Sequence, residues 1–299
     1  MNDQNTPQVP QSTSFEGLLK RRQFFQVGGL TVLAGALAGC GSASGPASAD
    51  AEQATDSSTL RVGMEAAYAP YNWQATQETE YTIPIENVSG AYADGYDVQI
   101  AKAVAEGLGM SPVAVKLSWD GLIGALQSGQ IDVIIAGMSD TEERRESIDF
   151  SNPYIEDTIG IFVLEGSPYA ECTNIQELSG ASVMGQKGTL YDECIDEIEG
   201  VVHATPVDTM PGVLSQLAAG ACDACTYGKM NEAGFMSTNS ELVSLPLSED
   251  GGFETTNPAS VGIAKGQDEM LASINEVLSG ISDADRQEYW DGACERQPA

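Results

Sequence analysis

The sequence predicts an α/β protein built from two lobes, each of them an open sheet flanked by helices. Short apolar segments with the pattern of buried strands alternate with segments whose apolar residues recur at helical spacing. This order occurs in the first half of the folded body and again in the second half, without repeated sequence. Because ligands of open α/β sheets bind beyond the carboxyl ends of the strands, the fold class favours a binding site at such an edge.

The first half is predicted to run strand, helix, helix, strand. Residues 60–64 alternate with a period of two, and the near-continuous apolar run at 131–136 is typical of a buried strand. Gly109 stands where the first helix would stop, and Ser128 and Gly129 follow the second. The apolar helical positions are Val98, Ala101, Val104, Ala105 and Leu108 in the first helix, and Leu122, Ile123 and Leu126 in the second.

The second half repeats this order and then ends in helices. Strands are predicted at 181–184, 201–202 and 221–227, and helices at 190–198 and around Met210, Val213, Leu214 and Leu217. A further helix covers 271–281, and the sequence at 282–285 has capping-box spacing for a last helix that ends near Trp290.

The chain is strongly acidic, which excludes some classes of function. Its 299 residues contain 44 Asp and Glu against 13 Lys and Arg, a formal net charge of -31. Nucleic-acid binding draws on a basic patch that such a chain lacks, so no nucleic-acid partner is expected. The single histidine, His203, argues against zinc hydrolases and Ser-His-Asp hydrolases, which need convergent imidazoles. No metal and no cofactor are predicted.

The first 39 residues have the order of a secretory signal. Three cations at 20–22 precede an apolar run of 13 residues at 27–39. This run is too short to span a bilayer, which needs about 20 apolar residues, and it predicts a signal peptide over 1–39. Residues 40–58 are rich in Gly, Ser and Ala and are expected to form a flexible tether.

The end of this segment resembles the lipobox of bacterial lipoproteins. The match is Leu37-Ala38-Gly39-Cys40, and it implies that Cys40 is lipidated on its sulfur, with acyl chains such as palmitate, and becomes the new N-terminus. The protein would then be exported and anchored to the cell membrane. The run at 21–25 is similar to a twin-arginine export signal, with the Sec route as the alternative.

Several motifs of the folded body carry a second resemblance. The most specific are Gly95-Tyr96-Asp97-Val98-Gln99-Ile100-Ala101, Ser139-Asp140-Thr141-Glu142-Glu143-Arg144 and Ile148-Asp149-Phe150-Ser151-Asn152-Pro153-Tyr154. They resemble motifs of bacterial extracellular solute-binding proteins of family 3, the polar amino-acid receptors of ABC importers. The resemblance runs from about Leu60 to Trp290.

The resemblance implies a periplasmic-binding-protein-like type II fold, with two α/β lobes joined by a two-strand hinge that close on a ligand. Lobe 1 would be residues 59–155 plus 255–299, and lobe 2 residues 156–254. The implied function is that of a substrate-binding lipoprotein that captures a polar amino acid and delivers it to a membrane permease. The protein is expected to be a monomer and not an enzyme.

Arg144 is the leading candidate for ligand binding. Its guanidinium, in the predicted first turn of a helix, is suited to hold a carboxylate with two parallel hydrogen bonds. The family uses the matching arginine for the ligand α-carboxylate. The alternative is that Arg144, like Arg145, pairs with neighbouring glutamates on a solvated helix face.

The resemblance also implies the ligand side-chain contacts. Tyr68 and Trp119 match positions that sandwich the ligand side chain, with core packing as the alternative. Glu65 matches a position that is acidic in receptors for cationic amino acids, which indicates a basic ligand. The remaining expected contacts are Gly137, Ser139, Thr189 and Tyr227.

Gly228 departs from the family pattern. It stands where the family usually has an Asp that accepts the ligand α-ammonium. Either another group, such as Glu254 or Glu232, takes over this role, or the ligand is not a standard α-amino acid.

An exported dehydratase of the prephenate or arogenate type, on the same fold, is the alternative function. Such an enzyme needs a general acid at the leaving hydroxyl, and none stands out among the 44 carboxylates. A lipid anchor also favours a receptor that must meet a membrane permease.

The cysteines leave their pairing open. Five remain beyond Cys40, an odd number, so at least one thiol stays free or pairs outside the chain. A bridge between Cys172 and Cys194 is one of the pairings that export would permit.

Overall fold

The structure, a computed structural model, describes residues 58–298. The predicted signal peptide 1–39, the lipidation site Cys40 and the tether up to residue 57 lie outside the described residues. Between residues 58 and 298, none of the helices has the length and apolarity needed to cross a membrane.

The described part of the chain contains short strands and helices in alternation. The strands are β1 Thr59–Met64, β2 Ala67–Tyr68, β3 Asn72–Ala75, β4 Ile83–Pro84, β5 Tyr92–Asp94, β6 Ser111–Lys116, β7 Val133–Ile134, β8 Ile148–Ile155, β9 Ile159–Leu164, β10 Ser182–Met184, β11 Val202–His203, β12 Ala224–Gly228, β13 Leu242–Ser244 and β14 Ala259–Ala264. The α-helices are α1 Tyr96–Leu108, α2 Leu122–Gln127, α3 Glu142–Ser147, α4 Leu190–Glu193, α5 Met210–Ala218, α6 Glu232–Thr238, α7 Asp268–Gly280 and α8 Asp283–Arg296.

Two five-stranded sheets of matching topology form two α/β lobes. The first sheet has the order β6-β1-β7-β14-β8 and the second the order β11-β10-β12-β9-β13. In each, the first three strands are parallel, and the fourth strand, β14 or β9, runs antiparallel to both of its neighbours. The predicted fold class, with one architecture repeated in two halves, is confirmed.

The chain passes between the two sheets twice. Residues 156–158 lead from β8 to β9, and residues 245–258 lead back from β13 to β14. The two crossing segments touch through an antiparallel bridge between Thr158 and Thr256. The amide of Asn257 also donates to the carbonyl of Asp157 at 3.0 Å. Movement of one lobe against the other must therefore be absorbed in these segments.

A smaller sheet, which the sequence did not predict, packs against α1 and β6, and its strand β2 also contacts α5. Its order is β2-β3-β5-β4, and all of its strands pair antiparallel. The strands have two to four residues, too few for a recognisable period-two pattern.

Capping chemistry sets most helix ends where the sequence predicted them. Gly109 ends α1 in the left-handed conformation, with a φ of 70°. The hydroxyl of Ser282 accepts the amide of Asp285 at 3.2 Å, which completes the predicted capping box of α8. α8 continues beyond the expected end at Trp290, to Arg296.

Three predicted elements are shorter than expected, and the strand predicted over 131–136 is reduced to β7 Val133–Ile134. The helix over 190–198 is α-helical only to Glu193 and continues as a 3₁₀ turn, where the Thr226 hydroxyl donates to the Tyr191 carbonyl and competes with the helical hydrogen bond. The strand over 221–227 begins at Ala224, because Gly220 takes a φ of 72° and the chain is still turning.

The bridge between Cys172 and Cys194, one of the pairings that the sequence left open, is not formed. Both thiols are free and buried, as are Cys222 and Cys225, and Cys294 is free and half-buried. Burial raises the pKa of the Cys194 thiol and of the Cys225 thiol, so neither is a reactive thiolate at neutral pH.

Candidate functional site

The predicted site residues meet in a small cavity between the two lobes. The cavity has a volume of about 10 Å³, roughly the room that one water molecule needs. The segments that line it follow β1, β7 and β10, at the carboxyl ends of parallel strands. Its lining residues are Glu65, Tyr68, Trp119, Ala136, Gly137, Ser139, Arg144, Gln186, Thr189, Leu190, Tyr191 and Asn257. Seven of the eight predicted contacts are among them.

Arg144 lies in the first turn of α3 with its guanidinium buried. The hydroxyl of Thr141 caps the helix by accepting the Arg144 amide at 3.2 Å. The guanidinium donates to the carbonyl of Ser139 at 2.8 Å and to the carbonyl of Gly188 at 3.1 Å. Within the described residues, no carboxylate oxygen lies within 4 Å of it, and burial lowers its pKa. A buried cation without an anion is suited to receive a carboxylate.

Arg145, the next residue, has the opposite surroundings. Its side chain is 62% exposed and forms an ion pair with Asp140. Arg145 therefore forms a solvated ion pair, with Asp140 and not with one of the expected glutamates, and Arg144 forms none.

Glu65 is a second buried charge in the cavity. Its side chain accepts only from the Gln186 amide nitrogen, at 3.2 and 3.4 Å. Burial raises the pKa of Glu65 to about 7, and the Gln186 hydrogen bond only partly opposes this rise. In the part of the chain that the structure describes, no Lys, Arg or His nitrogen pairs with this carboxyl.

Glu65 gives the folded protein a predictable pH dependence of stability. Its pKa is about 7 in the folded protein, against 4.5 for an ordinary glutamate, so between these pH values the folded state holds a proton that the unfolded chain releases. Between about pH 4.5 and 7 the folded state binds more protons, so the free energy of unfolding falls as the pH rises, by at most about 1.4 kcal/mol per unit for this group.

The substitution Glu65→Gln removes this titration, and urea unfolding at pH 5 and pH 7 measures it. We expect the loss of stability between pH 5 and 7 to be smaller in the variant than in the wild type. Asp97 and Asp157, whose pKa values burial also raises, to about 7 and about 6, remain in both proteins and cancel in the comparison. Equal pH dependence in the two proteins would contradict the assignment.

A line of hydroxyl and amide groups connects the two lobes and the crossing segments. The hydroxyls of Tyr68 and Tyr191 lie 2.9 Å apart. The side-chain nitrogen of Asn257 donates to the Tyr191 hydroxyl at 2.6 Å, and the Ser139 hydroxyl donates to the Asn257 oxygen. These groups can exchange hydrogen bonds with a polar ligand without a change of charge.

Asp97, in the sequence motif at 95–101, fixes the position of Gly137 through the Tyr154 hydroxyl. The fully buried Asp97 carboxylate accepts from the Tyr154 hydroxyl at 2.7 Å and from the Asn72 amide at 2.8 Å. The Tyr154 hydroxyl in turn accepts the Gly137 amide at 2.9 Å. Gly137, with a φ of 64°, is therefore fixed in a conformation that other residues rarely adopt.

Trp119 and Thr189 occupy the rim of the cavity. The Trp119 indole nitrogen donates to the Gly188 carbonyl at 2.7 Å, and its ring lies under the Arg144 guanidinium at 5.4 Å. Thr189 caps α4 by accepting the Tyr191 amide at 3.2 Å. Lys187 pairs with Asp120 at 2.6 Å, both half exposed, which adds little to stability.

Tyr227 does not reach the cavity. Its ring stacks on Phe162 at 3.6 Å between ring centroids and fills the space above Gly160, where a Cβ atom would come within 2.7 Å of the ring. Its hydroxyl donates to Glu232 at 2.6 Å. The expected contact at Tyr227 is therefore not present, because the residue faces the interior of the second lobe.

The two carboxylates expected to replace the missing Asp at residue 228 also lie elsewhere. Glu232 is held by Tyr227, Ser244 and Lys229. Glu254 is exposed and does not line the cavity.

Sequence reasoning missed Gln186, Tyr191 and Asn257. Gln186 and Tyr191 lie three residues before and two residues after Thr189, which was an expected contact, so their proximity to it was a usable signal. Asn257 lies in a crossing segment without periodicity, and only the fold brings it to the site.

Cavity size does not identify this site. A larger cavity of about 470 Å³, lined by residues such as Trp73, Leu214 and Phe235, has no charged side chain in its lining. Across residues 58–298, no group of His, Cys, Asp and Glu side chains is arranged to hold a metal ion. The small cavity is distinguished by its unpaired charges.

Comparison with known proteins adds independent evidence. A family model described as bacterial extracellular solute-binding proteins, family 3, matches residues 60–288. A protein of Campylobacter jejuni named "Probable histidine-binding protein" is 32% identical over 200 residues, which cover 67% of this chain and 72% of the relative.

Two solved structures are similar in fold. An amino acid ABC transporter substrate-binding protein from Streptococcus pneumoniae, bound to L-arginine, is 25% identical with a TM-score of 0.68, covering 81% of this chain and 96% of that one. An ancestral amino acid-binding protein, described as a precursor of cyclohexadienyl dehydratase, is 25% identical with a TM-score of 0.64, covering 79% of this chain and 94% of that one.

Proposed function

The chain belongs to the bacterial extracellular solute-binding proteins of family 3, and on that premise we propose that it binds a basic amino acid between its lobes for an ABC importer. The relatives are named for binding and not for catalysis, and the chain is accordingly a binding protein and not an enzyme. The proposal adds the class of ligand, the residues that bind it and the mode of closure.

The unpaired charges of the cavity carry this proposal. Arg144 offers two donors to a carboxylate, and Glu65 offers a carboxylate to a cation. Neither has an oppositely charged partner within the described residues, although charges this deeply buried are normally paired. A ligand with a carboxylate at one end and a cation at the other neutralises both. Lysine and arginine have this form.

We expect Tyr68 and Trp119 to enclose the ligand side chain, and Gly137, Ser139 and Thr189 to supply its main-chain contacts. In the structure the cavity is too small for an amino acid, and the lobes must separate to admit one. The proposed lobes are residues 59–155 plus 255–299 and residues 156–254, and the crossing segments are the proposed hinge.

Thermal-shift measurements against the twenty amino acids test the proposal. At a concentration about 100 times the dissociation constant, a ligand that binds only the folded state adds about 2.7 kcal/mol to the free energy of unfolding. We expect arginine or lysine to raise the melting temperature by several degrees, and glutamate to have no effect. The absence of any shift with all twenty would contradict the proposal.

The dehydratase alternative is tested in the same samples. An ancestral binding protein related to a dehydratase shares the fold, so the fold does not exclude that chemistry. Among the residues that line the cavity, Glu65 is the only carboxyl group, and it lies beside Gln186. Turnover of prephenate without amino-acid binding would favour the enzyme.

We further propose that the protein is exported and tethered to the membrane through a lipid on Cys40. The apolar run at 27–39 and the lipobox sequence support this assignment. We expect Cys40→Ser to move the protein from the membrane fraction to the soluble fraction on centrifugation, while ligand binding stays unchanged. Membrane retention of the variant would contradict the anchor. We also propose that the protein works as a monomer that meets its permease at the membrane.

A further inference from the structure

Asp157 is a buried carboxylate in the first crossing segment, and it is outside the set of residues that the sequence indicated. It lies between β8 and β9, and the residue is only 6% exposed. One carboxylate oxygen accepts the amides of Thr158 at 2.7 Å and Met230 at 3.0 Å. The other accepts only the Tyr71 hydroxyl, at 3.2 Å.

This second oxygen has unused acceptor capacity. A carboxylate oxygen offers about two lone-pair positions, and Tyr71 occupies one of them through a long hydrogen bond. Within residues 58–298, no Lys, Arg or His nitrogen lies within 4 Å of Asp157. The burial without a cation also raises the pKa of Asp157 to about 6. Asp157 is thus a third unpaired charge beside the cleft.

The Asp157 oxygen that accepts the Tyr71 hydroxyl lies at Gly228, beside the Tyr68 and Tyr191 hydroxyls of the cavity lining. A Cβ atom built on Gly228 would lie 2.6 Å from the Asp157 oxygen, 2.6 Å from the Tyr191 hydroxyl and 3.1 Å from the Tyr68 hydroxyl. The carboxylate and the two hydroxyls that line the cavity therefore converge on one point. Only the absence of a side chain at Gly228 leaves room for Asp157 there.

We propose that Asp157 binds the α-ammonium group of the ligand. The inference rests on the proposed function and adds a specificity-determining residue to it. The cleft then has one cation, Arg144, and two carboxylates, Glu65 and Asp157. A basic amino acid at neutral pH has the complementary set, namely one carboxylate and two cationic groups.

The position of Asp157 couples this contact to movement of the lobes. The hydrogen bond between Tyr68 and Tyr191, which joins one lobe to the other, lies beside the Asp157 oxygen. Separation of the lobes breaks this bond and opens a path to the carboxylate. The ligand ammonium then enters and contacts Asp157 in the crossing segment, and the lobes close over it.

Calorimetric titration with arginine and with 5-guanidinopentanoate, its analogue without the α-ammonium, tests the proposal. The Asp157→Asn variant keeps the shape and the amide contacts of the site but removes the charge. We expect it to bind arginine roughly 10- to 100-fold more weakly than the wild type, since it loses a charged hydrogen bond. Its affinity for the analogue should change by less than about threefold, because the lost partner is absent from that ligand.

A relocated carboxylate provides a second variant. In Asp157→Ala with Gly228→Asp, the alanine vacates the space of the Asp157 oxygen, and the Tyr191 hydroxyl, 2.6 Å from a Cβ atom at residue 228, must shift to admit the new side chain. We expect this double variant to bind arginine at least about tenfold more tightly than Asp157→Ala alone. If the double variant binds arginine no more tightly than Asp157→Ala, the assignment of this position to the ligand ammonium is overturned.

The outcomes separate the inference from the proposed function. If the wild type binds no amino acid, the proposed function fails. If the wild type binds arginine and Asp157→Asn binds it equally well, or loses arginine and the analogue to the same degree, the function stands and the role of Asp157 is wrong. Circular dichroism and melting of each variant confirm that a folded protein is compared.

Discussion

Replacement of Arg144 by alanine is expected to abolish amino-acid binding. The substitution removes a buried guanidinium that has two carbonyl partners and no anion of its own, so the ligand carboxylate would be buried without a cation. Loss of one partner of a buried charge pair costs about 3 to 5 kcal/mol, which corresponds to a loss of affinity of roughly 100- to 4,000-fold. Calorimetric titration with the ligand found in the screen measures this loss.

Arg145→Ala is the matched control, because the two arginines are adjacent in the same helix. Arg145 is exposed and already paired with Asp140, so its loss should change the affinity by less than about threefold. Arg144→Lys keeps the charge without the planar pair of donors and should recover only part of the binding. Wild-type affinity in Arg144→Ala would show that the carboxylate lies elsewhere.

The second large effect is expected in the fold itself, from Gly95→Ala. Gly95 has a φ of 135°, which other residues rarely adopt, and a Cβ atom there would lie 2.2 Å from the Tyr71 carbonyl oxygen. The clash involves main-chain atoms, and that carbonyl also accepts the Asp97 amide at 2.8 Å. Strain and lost contacts together should lower the free energy of unfolding by about 4 kcal/mol or more.

Gly90→Ala controls for the left-handed backbone alone. Gly90 has a φ of 71°, and a Cβ atom there would meet nothing within 4 Å. Its replacement should cost only about 1 to 2 kcal/mol, the penalty of the conformation. Midpoints of urea unfolding compare the two variants. Similar midpoints would mean that the main chain at Tyr71 moves to accommodate the added Cβ atom.

The sequence was sufficient for the parts of the site that follow regular patterns. Arg144, Gly137 and Thr189 stand at the ends of predicted strands or in the first turn of a predicted helix, where local rules place side chains at the sheet edge. The acidity of the chain also drew attention to Arg144, because the sequence contains only 13 Lys and Arg residues that could bind an anionic group.

The sequence was insufficient where two distant segments meet. Asn257 and Asp157 lie in crossing segments that have no hydrophobic period, and their contact depends on how the two sheets are joined. Tyr227 shows the reverse case. The family resemblance implied a ligand contact at Tyr227, but Gly160 on the neighbouring strand made room for its ring inside the lobe.

The main-chain carbonyl of Gly188 accepts hydrogen bonds from Trp119 at 2.7 Å and from Arg144 at 3.1 Å, both of which come from the other lobe. If Arg144 binds the ligand carboxylate as we propose, this carbonyl competes for the same donors and stabilises the closed arrangement of the two lobes. If about one molecule in ten is open, the apparent dissociation constant is about ten times the intrinsic value. The working affinity of the protein is then set in part by a backbone atom, which can tune it without any change in the ligand-binding side chains.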